Sequence, residues 1–449
     1  MEFSDKASIN GPLENKSRPI LFYGDDCTGA TDALAQYVRY GLRVTLVFRR
    51  PDCETLLHLI EDYDVVGVAG TSRSMAVAEM RDELGALFSS ISDTGLPWII
   101  QYKTCSTFDS APDRGSIGAA CDLAVEFLGG QRIPVVAAQP ELGRFTVFGN
   151  HFASDGDGKI YRLDRHPVMS THPATPMVEA DLQVHLSRQT RIPTVSVPLP
   201  MFGQYEPAMR TEKKDDRAQL MIFDALTDED LGRIGLWACG YAYTDKSVSF
   251  MVGSGGLSGA LGSASTGLPV SRQQLPFWRS QAAPTLVLSG SCSATSRRQV
   301  ELAREVGWES VPLDADDVVS PKRRGPLIGR CVSALTVGKS VIVDSATGPT
   351  SPRINQLDPR QLGDLYASVV TECLDATPVR RIVLSGGDTS SWTLRQLPIT
   401  TASLVGTLDP GVYVLRAGHS SVGNLELVLK GGQMGSPDLF VRFASGNGE

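Results

Sequence analysis

Two adjacent carboxylates form the most chemically suggestive pair in the chain. Asp25 and Asp26 lie in Gly24-Asp25-Asp26-Cys27-Thr28-Gly29, where an apolar run ends and a helical pattern begins. One aspartate there would serve as a helix cap. A second, with a glycine on each side, exceeds what capping needs. A carboxylate at such a position can orient a substrate hydroxyl and accept its proton. Asp26 is the first candidate base and Asp25 the second, with Thr28 as an adjoining substrate contact.

Basic and hydroxylated residues follow two further apolar runs. Thr71-Ser72-Arg73-Ser74 combines a helix start with a guanidinium, which suits the fork of a carboxylate. A capped helix with a surface arginine is the plainer reading of the same residues. Lys103 precedes Thr104, Cys105, Ser106 and Thr107, so Lys103 and Ser106 are expected to touch a polyhydroxy substrate; a merely polar loop would look alike. His172, in a proline-rich stretch, is expected to close over substrate. His58, His151, His166 and His185 read as satisfied or exposed side chains, and His419 lies in a loop near the glycine turns.

Three glycine turns occur late in the chain. They are Ser289-Gly290-Ser291, then Ser385-Gly386-Gly387-Asp388-Thr389, then Lys430-Gly431-Gly432. Glycine lets backbone N–H groups approach phosphate oxygens. Any one of them could be an ordinary tight turn, but all three follow strand-like runs, and together they point to a nucleotide site. No Walker A loop is present, nor the protein-kinase motif set. Gly253-Ser254-Gly255 is a distorted dinucleotide fingerprint, better read as a turn into a helix.

These residues need a frame that brings turns together. Apolar runs at 20–23, 44–48, 65–69, 98–102 and 135–138 alternate with amphipathic helical segments. The alternation restarts at 285–288, 340–343 and 381–384, and strand-like runs at 412–415 and 425–429 follow. This is the pattern of βαβ units and parallel sheets. Ligands in such sheets bind beyond the C-terminal strand ends, where the turns lie. Residues 145–170 read instead as a hairpin excursion with a DGDG turn. The expected organisation is a disordered tail at 1–18, a substrate domain at 19–270, a linker at 271–283 and a nucleotide domain at 284–449. Both domains are expected to be α/β with mainly parallel sheets.

Composition bounds the functional class. The 449 residues are 42% hydrophobic and 20% charged with a net charge of −8, an ordinary balance with no field to attract nucleic acid or an anionic membrane. The eight cysteines are scattered, with no Cys-x-x-Cys pair, as expected of reduced thiols in a cytoplasmic protein. No run reaches the ~18 apolar residues of a membrane span, and the polar N-terminus lacks the apolar core of a signal peptide.

Four segments in this order carry a resemblance. GDDCTGATD, LVLSGSCSATSRRQ, VLSGGDTSSWTLRQL and KGGQMGSPDLF resemble the four-carbon acid sugar kinases from about residue 19 to about residue 441. The resemblance implies an N-terminal substrate domain, a C-terminal nucleotide domain and transfer of the ATP γ-phosphoryl group, with Mg2+, to a hydroxyl of a tetronate, a 3-oxo-tetronate or a related acid sugar. Asp25 and Asp26 match the family's acidic pair, Arg73 and Lys103 its basic positions. Ser289, Gly290, Ser291, Gly386, Gly387, Asp388, Thr389, Gly431 and Gly432 match its nucleotide turns. Many tetronate kinases read DSTLRGN after the lysine strand. Here CSTFDSAPDRGSIG stands there, and Arg114 is the candidate replacement for the missing arginine. The departure looks more like the branch acting on 3-oxo-isoapionate. Metal ligands, the hydroxyl phosphorylated and oligomeric state, with a homodimer among the options, are left open. The alternatives from other classes are a nicotinamide-dependent dehydrogenase using the Gly253 turn and a non-catalytic sugar-acid-binding regulator.

Overall fold

A computed structural model describes residues 18–129, 132–171, 176–203, 218–244, 248–269, 274–348, 351–354 and 356–448. His172, the N-terminal tail up to residue 17 and positions 271–273 of the expected linker lie outside the described residues.

The strands of the N-terminal half are β1 (Ile20–Gly24), β2 (Val44–Val47), β3 (Val65–Ala69), β4 (Ile99–Lys103), β5 (Arg132–Val136), β6 (Arg144–Val147), β7 (Asn150–Ser154), β8 (Ile160–Arg162), β9 (Thr194–Val197), β10 (Gln219–Phe223) and β11 (Ser249–Gly253). The C-terminal half supplies β12 (Thr285–Ser289), β13 (Glu309–Pro312), β14 (Val341–Asp344), β15 (Arg381–Ser385), β16 (Ile399–Asp409), β17 (Val412–His419) and β18 (Gly423–Lys430). Every residue of β1, β3, β4, β11, β12 and β15 is buried. Helices cover both faces of such strands, so they read as continuous apolar runs rather than alternating ones.

The two halves share one sheet of 15 strands, ordered β13-β14-β12-β15-β18-β17-β16-β2-β3-β1-β4-β11-β5-β10-β9. All pairings from β2 to β9 are parallel, as are those among β13, β14, β12, β15 and β18. The joint is antiparallel: β18, β17 and β16 form a meander, and β16 pairs with β2 through Thr401–Val47 and Ala402–Leu46. The sequence pattern foresaw two α/β units but not β16, the strand that fuses them.

The expected hairpin excursion is an antiparallel sheet of β6, β7 and β8. It braces the loop after β4. His151 Nε2 donates to the Ser106 carbonyl at 2.8 Å, and Thr146 Oγ1 donates to His151 Nδ1 at 3.0 Å. Burial pushes His151 down to about 4, so the neutral ring this bonding needs is the form present. The stretch after residue 273 packs on the C-terminal half, where Trp278 is buried and Phe277 bridges to Thr407.

Candidate active site

The acidic pair sits where β1 gives way to the helix Cys27–Arg39. Asp26 caps that helix by accepting from the Gly29 N–H, and Thr28 Oγ1 donates to the same carboxylate at 3.1 Å. Its other oxygen is ion-paired with Arg73 Nη2. Asp25 is different. It is 4% exposed, and its Oδ1 has no hydrogen-bond partner. Burial, followed by the neighbouring Asp26 charge, pushes Asp25 up to about 7. Arg73 and Lys103 pull in the opposite direction. A buried carboxylate with an unused oxygen is costly to keep, and such groups concentrate where chemistry is done.

Arg73 lies in the turn after β3, and its backbone N–H donates to the Asp25 carbonyl at 3.0 Å. Its side chain reaches Asp388 Oδ1 at 3.4 Å in the other half of the molecule. Burial works against its charge. Asp26 and Asp388 more than offset this and hold the guanidinium well above its ordinary value. Lys103 ends β4, fully buried, with Nζ donating to the Thr104 carbonyl at 2.9 Å and lying 3.4 Å from Asp32.

Sequence reasoning missed Asp32. It lies four residues beyond Thr28 on the same helix, so helical spacing could have found it. Gln139, which donates to Asp32 at 3.3 Å, had no local signal. The loop after β4 carries a second carboxylate, Asp109, buried and receiving the Thr107 hydroxyl at 2.6 Å. Its charge acts on both Asp25 and Arg73. Ser106 is fixed through its carbonyl, as above. Arg114 is exposed, and its backbone bridges to Ala76 beside Arg73's turn.

The three glycine turns converge because β12, β15 and β18 are adjacent and parallel. Gly290 N–H donates to the Ser385 carbonyl at 2.8 Å, and Gly386 N–H to the Lys430 carbonyl at 2.9 Å. Gly386 has φ +119°, a conformation that glycine adopts readily. It opens the helix Gly387–Gln396, while Ser293 caps the helix Ala294–Glu305. A Cβ at Gly290 would meet Thr389, and one at Gly432 would meet Ser291. With the Gly290 and Gly386 N–H groups spent between the turns, the groups here suited to cradle phosphate are the N-termini of these two helices. Ser289 Oγ is buried there without a partner.

Lys430 opens the third of these turns, although only the glycines after it were expected to bind nucleotide. It is fully buried; Nζ donates to Ser296 Oγ at 3.0 Å and to the carbonyls of Gly431 and Gly432 at 2.9 and 3.2 Å. Burial pushes it down to about 7.

The edges face each other. Cys27 N–H donates to Ser391 Oγ at 3.0 Å, Trp392 Nε1 to Ser74 Oγ at 3.1 Å, and Arg395 Nη1 to Thr71 Oγ1 at 2.8 Å. Arg395 also pairs with Glu83 at 3.1 Å. Gly387 lies against the acidic pair so closely that a Cβ would collide with Arg73 Nη2 and Asp26 Oδ2. Among the described residues no group of three or more His, Cys, Asp or Glu could hold a metal ion by itself. None of the described helices is long and apolar enough to cross a membrane.

An acidic edge packed against three converging glycine turns, all at the ends of parallel strands, is an arrangement suited to a phosphotransferase that uses a nucleotide. Residues 20–261 match the family model described as a sugar-binding N-terminal domain, and residues 286–440 the nucleotide-binding C-terminal domain. The chain is 36% identical over 444 residues to a 3-oxo-isoapionate kinase of Paraburkholderia graminis, covering 94% of this chain and 93% of the relative. It is 30% identical over 444 residues to a 3-oxo-tetronate kinase of Pseudomonas fluorescens, covering 94% and 96%. A Salmonella typhimurium crystal structure shares the fold with a TM-score of 0.72 at 21% identity, covering 95% of this chain and 98% of that one. The chain belongs to the acid sugar kinase family built from these two domains, and it is an ATP-dependent kinase. The nicotinamide alternative falls away because the two family models are a sugar-binding and a nucleotide-binding domain and the curated relatives are kinases; the Gly253 turn opens a buried helix whose Gly255 packs on Asp32 and Gln139.

Proposed function

We propose that the chain phosphorylates 3-oxo-isoapionate or a closely related branched 3-oxo acid, with Asp25 as the base. The higher identity to the Paraburkholderia relative supports the substrate. So does the loop from Cys105 to Ser110, which replaces the tetronate-type sequence. The acid sugar lies on the N-terminal edge, its carboxylate toward Lys103 and the amides of the turn from Thr71 to Ser74. The ATP phosphates lie on the turns from Ser289 to Ser291, Ser385 to Thr389 and Lys430 to Gly432.

The unpartnered, buried Asp25 oxygen carries the assignment of the base. A carboxylate titrating near 7 is matched to proton transfer at neutral pH. Asp26, engaged by its helix and by Arg73, orients rather than accepts. A hard-oxygen site suits Mg2+, and Asp388, a carboxylate beside the proposed phosphate turn, would be the protein group to hold it. Mg2+ would neutralise charge on the phosphates. The test is ADP release and phosphorylated product with 3-oxo-isoapionate, 3-oxo-tetronate and tetronates as acceptors. Preferred turnover of a plain tetronate would sink the substrate assignment.

A further inference from the structure

We infer that Arg73 is a catalytic residue that acts on the transferring phosphoryl group, an arginine finger supplied by the substrate domain, and does not bind the acid sugar's carboxylate. The inference rests on the kinase reading above and adds a role for one residue within it.

The position of Arg73 carries the argument. Its backbone is fixed on the acceptor side by the bond to the Asp25 carbonyl. The adjoining loop closes over that backbone, because a Cβ at Gly115 would strike the Arg73 carbonyl. The side chain leaves this anchor and crosses to the other half. One nitrogen, Nη2, meets Asp26 of the acceptor edge and Asp388 of the cradle edge. A Cβ at Gly387 would collide with that same nitrogen. The guanidinium therefore lies where the acidic pair and the glycine turn of β15 meet. With ATP on that turn and the acceptor hydroxyl beside Asp25, as proposed above, the phosphoryl group is transferred next to it.

A guanidinium fits that role by chemistry as well as by place. It presents planar donors that match phosphate oxygens two at a time. Its positive charge is fixed, and Asp26 and Asp388 offset the cost of burying it. The sugar's carboxylate has an alternative partner in Lys103, on the same edge but paired to Asp32, away from the cradle. In the reaction the acceptor oxygen bonds to the γ-phosphorus as the bond from that phosphorus to the β-phosphate oxygen breaks. The hydroxyl proton passes to Asp25, and ADP leaves. Arg73 would exchange its bonds to Asp26 and Asp388 for bonds to the equatorial oxygens, whose charge it stabilises.

Arg73→Ala and Arg73→Lys separate the two roles. Acid-sugar affinity is measured by calorimetry with 3-oxo-isoapionate in the absence of nucleotide, and kcat at saturation with both substrates. Arg73→Ala is expected to lose about 10³–10⁵ in kcat, the range seen for arginine fingers. Its acid-sugar affinity should stay within about threefold of wild type, because binding made only in the transition state leaves the ground state alone. Arg73→Lys keeps a charge but not the fork, and should bind the acid normally while remaining far slower than wild type. Added guanidinium ion at non-denaturing concentration should recover part of kcat in Arg73→Ala. Retained calorimetric binding also shows that a variant is folded. Loss of acid-sugar affinity by tenfold or more in Arg73→Lys, or saturating turnover near wild type in Arg73→Ala, overturns the inference. Failure of the kinase reading would show differently, as no ADP release by the wild type with any acid sugar.

Discussion

The two strand-end edges that meet at the cleft use charge in opposite ways. The N-terminal edge gathers ionisable side chains: Asp25, Asp26, Asp32, Arg73 and Lys103, with Asp109 behind them. The C-terminal edge is mostly backbone and hydroxyl, with Lys430 threaded beneath its glycines and Asp388 reaching across to Arg73. The difference follows from what each must hold. An acceptor hydroxyl has to lose a proton, which calls for a side chain whose pKa can be tuned by burial and neighbours. A phosphate chain needs only directed N–H donors and close approach, which glycine turns and helix N-termini supply.

The first edge can be broken by itself, with a large expected effect. Asp25→Asn should lower kcat by about 10²–10⁴, the usual worth of a general base, with ATP affinity unchanged by calorimetry. If Asp26→Asn is the slower variant and Asp25→Asn turns over normally, the roles within the pair are reversed. Gly387→Val addresses the second edge. Its side chain would collide with Arg73 and Asp26 at the first turn of the helix Gly387–Gln396, whose N-terminus is proposed to face the ATP phosphates. ATP affinity should fall by more than about tenfold, since a branched side chain cannot share that space. Unchanged affinity in the folded variant would move the nucleotide elsewhere.

Much of this contrast was legible in the sequence because each buried strand ends in its own functional turn. Asp25, Arg73, Lys103, Ser289, Ser385 and Lys430 all stand at or just after strand ends. What escaped was set by distance along the chain or by weak patterning. Arg73 and Asp388 are 315 residues apart, and nothing local announces the contact. Strand β16 mixes exposed and buried residues throughout its length. An antiparallel strand with one covered face shows no continuous apolar run, so the joint between the halves was invisible while the cores of β17 and β18 were not.

The seam between the edges offers a smaller test. Arg395→Ala removes the bond to Thr71 and leaves Glu83, whose side chain is 10% exposed, without its ion pair. Losing a hydrogen bond to a charged group costs about 1.5–3 kcal/mol. Denaturant unfolding should show a loss of that size. The KM values should change with it if the seam also holds the edges in register. A variant as stable as wild type would show that this contact contributes nothing to holding the halves together.

A last test concerns the folding cost of the tuned carboxylate. Asp25 titrates near 7 in the folded chain against an ordinary value of 3.8. Between those values the folded state holds a proton that the unfolded state has released. Stability contributed by this group therefore falls as pH rises from 3.8 to about 7, then stays low above it. A neutral amide carries no such penalty, so the Asp25→Asn variant should gain on wild type across that window and hold its advantage at higher pH. Thermal unfolding of both proteins at pH 5, 6, 7 and 8 measures the difference directly. A Tm difference that does not change with pH would mean that Asp25 is ionised throughout. The acceptor edge would then lack the tuned base that sets it apart from the phosphate cradle.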